Sequence, residues 1–374
     1  MNFARTDQSL IARWWWTVDR WSLAAILGLI GFGMVLALAA GPPVAARLGA
    51  DDSFVFVKRQ LMLLPVAGLV LFAASLLPPR ELRRLAVLLL AVALTLLALT
   101  PLLGVEIKGA RRWLAVGGLS LQPSELVKPA FIVVTAWLLA LRRRHPGFPG
   151  FTLATALAGL IVVLLLAQPD LGQTVVIGGI WLGQLFLAGL PLWTVPALVA
   201  LAVGGLFSAY FTLPHVTSRI DRFLDPATGD TYQIDQSLAA FVEGGLFGRG
   251  PGEGVVKQAL PDAHADFVFA VAGEELGILA CMAIVLLFAT VVMRGIASAL
   301  KETSLFALIA TAGLAAEFGL QALINIASSL ALIPTKGMTL PFLSYGGSSL
   351  LAISLSAGFI LALTRRRPGP PEDA

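Results

Sequence analysis

Residues 266–293 read DFVFAVAGEELGILACMAIVLLFATVVM. The stretch opens on a carboxylate, Asp266, holds two more at Glu274 and Glu275, and is then uncharged as far as Arg294. At about 1.5 Å of rise per residue, a helix of this length exceeds a hydrocarbon core of about 30 Å. Comparable apolar blocks recur along the 374 residues, of which 57% are hydrophobic and 13% charged. Soluble domains carry about 25% charge. The composition therefore excludes a soluble enzyme, a disordered scaffold and a disulfide-stapled secreted domain. The expected fold class is all-α: a polytopic membrane protein with about ten transmembrane helices. The spans are expected near 22–41, 60–78, 85–103, 124–141, 152–168, 174–190, 192–213, 266–293, 303–333 and 344–364. The two longest are expected to tilt, extend beyond the bilayer or break within it.

An even number of spans places both termini on one side. Putting them in the cytoplasm leaves Arg80, Arg83, Arg84, Arg142 to Arg144, Arg294, Lys301 and Arg365 to Arg367 inside, as the positive-inside rule requires. Lys58 and Arg59 argue mildly the other way. Residues 1–21 then form a cytoplasmic or interfacial segment, with no cleavable signal peptide expected, and Trp14, Trp15 and Trp16 suit the membrane interface. Residues 22–364 form the membrane domain and 365–374 a short tail. The single cysteine, Cys281, rules out an internal disulfide.

The longest stretch outside the spans, about 214–265, lies between the seventh and eighth and faces outward. Its glycine run, Gly244 to Gly254, lacks the Lys-Ser/Thr of a phosphate loop; glycines here let the backbone turn sharply or approach a surface closely. Asp266 follows at the junction of loop and span. It fits a helix cap or a general base in a partly desolvated cleft. Glu274 and Glu275 lie roughly 12 Å deeper along a helix and point elsewhere, as buried structural carboxylates would. Other polar groups recur at membrane depth, where charge is costly unless paired or wetted. Glu125 and Lys128 share a helix face, Glu317, Gln321 and Asn325 form a stripe at intervals of four, and Asp170 stands beside a proline. These fit either an interhelical polar network or a functional site. Arg111, Arg112 and Lys336 lie in outer loops; they suit a lipid phosphate or diphosphate, or simple anchoring.

Six motifs in order resemble the SEDS family (shape, elongation, division and sporulation) of bacterial peptidoglycan polymerases. They are GARRW (109–113), QPSELVK (122–128), QPDLG (168–172), YQIDQSL (232–238), LPDAHADFVFAV with GEELG (260–277), and PTKGMTLPFLSYGGSS (334–349). SRIDRFLDP (218–226) and FGRGPGEG (247–254) look most like the cell-division branch rather than the elongation branch.

The resemblance implies a glycosyltransferase that polymerises lipid II into β-1,4-linked glycan at the outer face of the cytoplasmic membrane, releasing undecaprenyl diphosphate. It places the catalytic carboxylate at Asp266. Arg111, Arg112, Glu125, Lys128 and Lys336 are expected to bind lipid II and its diphosphate, with Glu125 positioning Lys128. Asp170, Glu274, Glu317, Gln321 and Asn325 are expected to form a supporting polar network. No protein-bound metal is expected, though a divalent cation, Mg²⁺ or Mn²⁺, could assist. The implied partners are a class B penicillin-binding protein transpeptidase and other divisome proteins, with no nucleic acid. Membrane-depth charges and proline-broken spans also fit a lipid II flippase, and a non-catalytic divisome scaffold is a third reading.

Overall fold

The computed structural model describes residues 9–365 except 108, 117, 118, 213 and 226–230. The tail beyond 365, with Arg366 and Arg367, and the basic residues Arg5 and Lys108 lie outside the described residues. In chain order the helices are α1 (Leu10–Thr17), α2 (Arg20–Arg47), α3 (Val55–Leu76), α4 (Pro79–Leu103), α5 (Pro123–Arg144), α6 (Gly150–Ala167) and α7 (Leu171–Leu187). They continue as α8 (Val195–Thr212), α9 (Pro214–Leu224), α10 (Tyr232–Gly244), α11 (Val268–Ala299), α12 (Leu305–Ser329) and α13 (Gly347–Leu363). Eight of them, α2 to α6, α8, α11 and α12, are long and apolar enough to cross a membrane; α7 and α13 are shorter apolar helices.

Prolines set several boundaries. Pro79 and Pro123 open α4 and α5 at positions where the missing N–H costs nothing. α5 is the most enclosed of the long helices, with 72% of its apolar stretch buried. It packs against α4, α6, α7, α12 and α13, while α11 packs against α2, α10 and α12. Two apolar cores result, one around α2 and α11 and one around α5.

Three features depart from the sequence expectation or add to it. Trp14 turns into the protein: it is 7% exposed, and its indole Nε1 donates to Ser75 Oγ at 2.8 Å. Trp15 and Trp16 stay outside. The loop before α5 forms an antiparallel sheet of β1 (Val105–Ile107), β2 (Ala110–Val116) and β3 (Leu119–Leu121). The stretch 214–265 contains α9 and α10. Ile234, Leu238, Phe241 and Val242 recur there at helical spacing, and Phe241 packs on Phe269 of α11.

The glycine run acts on α11. Gly277 interrupts that helix with φ 80° and ψ 174°, a conformation open to glycine and strained for other residues. The groups freed by the break are met by the loop. Ile278 N–H donates to Gly245 O at 3.0 Å, Arg249 N–H to Glu274 O at 2.9 Å and Gly250 N–H to Glu275 O at 3.0 Å. A Cβ on Gly248 would stand 2.2 Å from Glu275 O, so only glycine lets the two backbones meet. The break thus has a physical cause and a compensation, as buried backbone groups require.

Candidate active site

Asp266 is the last residue but one of a run of turns, 261–267, that leads into α11, and is half-buried. Its backbone N–H donates to Asp262 O at 3.0 Å, and its carbonyl accepts from Asn325 Nδ2 at 2.9 Å. The same amide donates to Met338 O at 2.6 Å. One α12 side chain therefore ties the Asp266 turn to the 334–343 loop. Gly337 brings that loop close: a Cβ there would lie 3.3 Å from Asp266 Oδ2. Ser344 Oγ donates to Ala265 O at 2.5 Å, and Tyr345 N–H to His264 O at 2.8 Å. Beside the turn, His264 and Tyr345 pack with Phe56. Burial pushes His264 down to about 4, against the pull of Asp262, so the imidazole is neutral at working pH.

Behind Asp266 runs a chain of buried polar contacts. Asp170 caps α7, accepting from Gln173 N–H at 3.3 Å. Gln173 Nε2 donates to Glu125 Oε1 at 2.5 Å, and Lys128 Nζ donates to Glu125 Oε2 at 2.9 Å and to Gln321 Oε1 at 2.9 Å. Gln321 Nε2 reaches Thr339 Oγ1 at 3.2 Å. The α12 stripe thus joins α5 and α7 on one side and the 334–343 loop on the other. Glu317, one turn further, accepts from Ser356 Oγ of α13 at 2.8 Å. Glu274 stands apart from this chain. It accepts the backbone N–H groups of Val255, Val256 and Lys257 at 2.5, 2.6 and 2.8 Å. Its neighbour Glu275 is paired with the buried Lys257 ammonium.

Gly337 also borders a cavity of about 410 Å³ whose charged lining is Arg112, Arg219, Lys336 and Asp170. Strand alternation separates the two adjacent arginines. Arg111 stands opposite Glu106 in the β1–β2 register and pairs with it at 3.5 Å, in solvent. Arg112 turns inward, where Nε donates to Gln168 O at 3.1 Å and Nη2 to Pro169 O. Burial pushes the Asp170 carboxyl above its ordinary range, opposed by the Arg112 cation. Burial, reinforced by Arg219 and Arg112, holds the Lys336 ammonium below the usual lysine value. A second cavity of about 210 Å³ adjoins the first across Arg219 and Pro334 and extends to Tyr232 and Pro261.

The structure gathers Arg112, Lys336 and Asp170 around one cavity and links Asp266, Asn325, Gln321, Lys128 and Glu125 beside it. It brings Arg111, Glu125 and Lys128 into no part of the cavity wall. Lys128 is fully buried and engaged with Glu125 and Gln321, which makes it a strut between α5 and α12. Arg219, Gln173 and Thr339 join the site without having been singled out. Gln173 was findable, three residues after Asp170 on one helix; Arg219 and Thr339 come together only through the fold. Among the described residues no three His, Cys, Asp or Glu side chains group as a metal site. The carboxylates nearest the cavity that could hold a divalent ion are Asp170 and Asp266, and such an ion would supply charge to offset a diphosphate.

Fold and site together define a polytopic helical membrane protein with a cation-lined cleft beside a carboxylate at one end of the bundle. The cell cycle protein family FtsW/RodA/SpoVE matches residues 20–368, and the chain belongs to that family. It is 46% identical over 367 residues to the probable peptidoglycan glycosyltransferase FtsW of Caulobacter vibrioides, covering 98% of this chain and 94% of the relative. The protein of the same name from Coxiella burnetii is 36% identical, over 93% and 96% of the two chains. Among solved structures, a chain described under the structural coordination of polymerization and crosslinking by a peptidoglycan synthase complex has a TM-score of 0.77. It is 30% identical and covers 93% of this chain and 97% of its own. The rod shape determining protein RodA of Thermus thermophilus has a TM-score of 0.67 at 29% identity, over 94% and 97%.

Proposed function

We propose that the chain is a peptidoglycan glycosyltransferase of the division septum, joining lipid II units into β-1,4-linked glycan with inversion. The observation that carries this reading is the juxtaposition of the Asp266 carboxylate, through Gly337, with a cavity walled by Arg112, Arg219 and Lys336. The acceptor 4-hydroxyl attacks the anomeric carbon of the donor, and its proton passes to Asp266. The bond from that carbon to the diphosphate oxygen breaks, and its electron pair leaves with undecaprenyl diphosphate. The donor is α-linked and the product β-linked, so one in-line displacement suffices, and a second carboxylic acid is not required. Arg112 and Lys336, joined by Arg219, offset the charge that develops on the leaving group. Arg111 receives the head group further out. Glu125, Lys128, Gln321 and Asn325 hold α5, α7, α12 and the 334–343 loop in register, with Asp170 capping α7 at the cavity edge. Glu317 braces α13, and Glu274 anchors the outer loop.

The protein works in the bacterial cytoplasmic membrane with both termini inside and the Asp266 end outside. Its partners are a class B penicillin-binding protein transpeptidase and other divisome proteins. The test is to give the purified full chain lipid II in liposomes, with and without the transpeptidase and Mg²⁺, and to follow both glycan length and transbilayer movement. Glycan strands support the enzyme; movement of lipid II without strands would favour a flippase, and neither activity with intact complex formation would favour a scaffold.

A further inference from the structure

The end of the bundle opposite Asp266 has a cavity of its own. α11 leaves the Asp266 turn and ends at Ala299, and α12 begins at Leu305, so the connection between them marks that far end. There a cavity of about 470 Å³ is lined by Arg83, Arg143, Arg144, Trp137, Thr303 and Phe306, among others, and by no carboxylate. Its volume falls within the ~300–1,000 Å³ of small-molecule sites. Arg83 comes from the start of α4 and lies 5.1 Å over the Phe306 ring. Arg143 and Arg144 come from the last turn of α5. Both are exposed. Orientation in the membrane needs arginines on this side but does not need them to converge on a concavity.

We propose that this cavity binds the phosphate of an anionic phospholipid head group from the adjacent leaflet. Guanidinium forks match phosphate oxygens in pairs, and Thr303 adds a hydroxyl. Trp137, half-buried on α5, offers an indole of the kind that sits at head-group level. Leu141 and Leu305 continue the wall as apolar surface, which suits the glycerol and first acyl carbons of a lipid better than a free anion. A basic pocket between helices at a cytoplasmic membrane surface is a known setting for such head groups. The site would bridge α4, α5 and α12, two of which carry the polar chain behind Asp266. It is independent of the glycosyltransferase reading.

The test is native mass spectrometry of the full chain in detergent, titrated with phosphatidylglycerol, phosphatidylcholine or inorganic phosphate. Arg143→Gln/Arg144→Gln is compared with Arg80→Gln/Lys301→Gln, which removes equal charge from exposed positions at the same end outside the cavity. The expected result is a loss of phosphatidylglycerol retention of roughly ten-fold or more in the first pair and less than about two-fold in the second. Equal losses in the two pairs would overturn the site in favour of diffuse surface attraction. Inorganic phosphate binding as well as the lipid would overturn the lipid as its occupant. Should the first pair melt below wild type, Arg143→Lys/Arg144→Lys replaces it. That pair keeps the charge but loses the fork geometry; an about three-fold loss is expected, and no loss overturns the proposal.

Discussion

The turn that carries Asp266 is fixed through its own backbone. Asn325 clamps its carbonyl and that of Met338 together, and Gly337 keeps the approach to the carboxylate open. Lys336, next to that glycine, supplies a pH signature. Its ammonium is held below the ordinary lysine value, first by burial and then by Arg219 and Arg112. It therefore loses its proton earlier than a free lysine as pH rises, and with it the charge that would hold diphosphate. KM for lipid II is expected to rise on the alkaline side, and Lys336→Arg, which stays charged, should move that rise to higher pH. A profile unmoved by the substitution would place the alkaline loss elsewhere. At this scale carboxylates and cations at membrane depth are few, so each stood out in the sequence. It could not separate Arg111 from Arg112, because the strand that sends them to opposite sides was not visible, nor show that Gln321 of α12 joins Glu125 in holding the Lys128 ammonium.

Directly after the Asp266 turn stands α11, with the loop folded onto its break. Gly277 opens the helix, and the backbone of 245–250 closes the gap. Lys257 and Glu275 then lock loop to helix as a pair with side chains 4% and 0% exposed. Removing one member leaves a buried charge without its counterion. Lys257→Met is expected to cost about 3–5 kcal/mol, read as a lowered denaturation midpoint in detergent. Lys257→Met/Glu275→Leu should recover most of that loss. A double variant as unstable as the single one would mean that packing, not charge, dominates. The glycine run could be recognised from sequence as backbone meant for close approach. What it approaches could not, because the contact joins residues about thirty positions apart through a helix break that apolar periodicity conceals. The β1–β3 sheet escaped for a related reason: its strands are short, and β1 is exposed throughout.

For the whole molecule, apolar block length made the helical membrane architecture legible, since lipid leaves little choice but helices with internally paired backbones. The blocks read from sequence match α2 to α8 and α11 to α13, with ends that differ by up to about six residues. The helices α9 and α10 were not legible in this way, since polar and charged residues interrupt their apolar ones. Orientation rests on the basic residues alone and carries its own prediction. Ser53→Cys, between α2 and α3, should react with a membrane-impermeant maleimide in intact spheroplasts, whereas Lys301→Cys should react only after permeabilisation. Both positions are exposed, and the native Cys281 is buried, so background labelling is small. The reverse pattern would invert the protein and move Asp266 to the cytoplasmic face.

The most direct measurement of the central claim is lipid II polymerisation by purified wild type and Asp266→Asn, alongside lipid II binding and thermal denaturation of both. Loss of a general base is worth about 10²–10⁴ in rate. Asp266→Asn should therefore lose at least about a hundred-fold in strand synthesis while keeping its denaturation midpoint and its affinity for lipid II. Polymerisation at an unchanged rate by a folded Asp266→Asn protein would contradict the account.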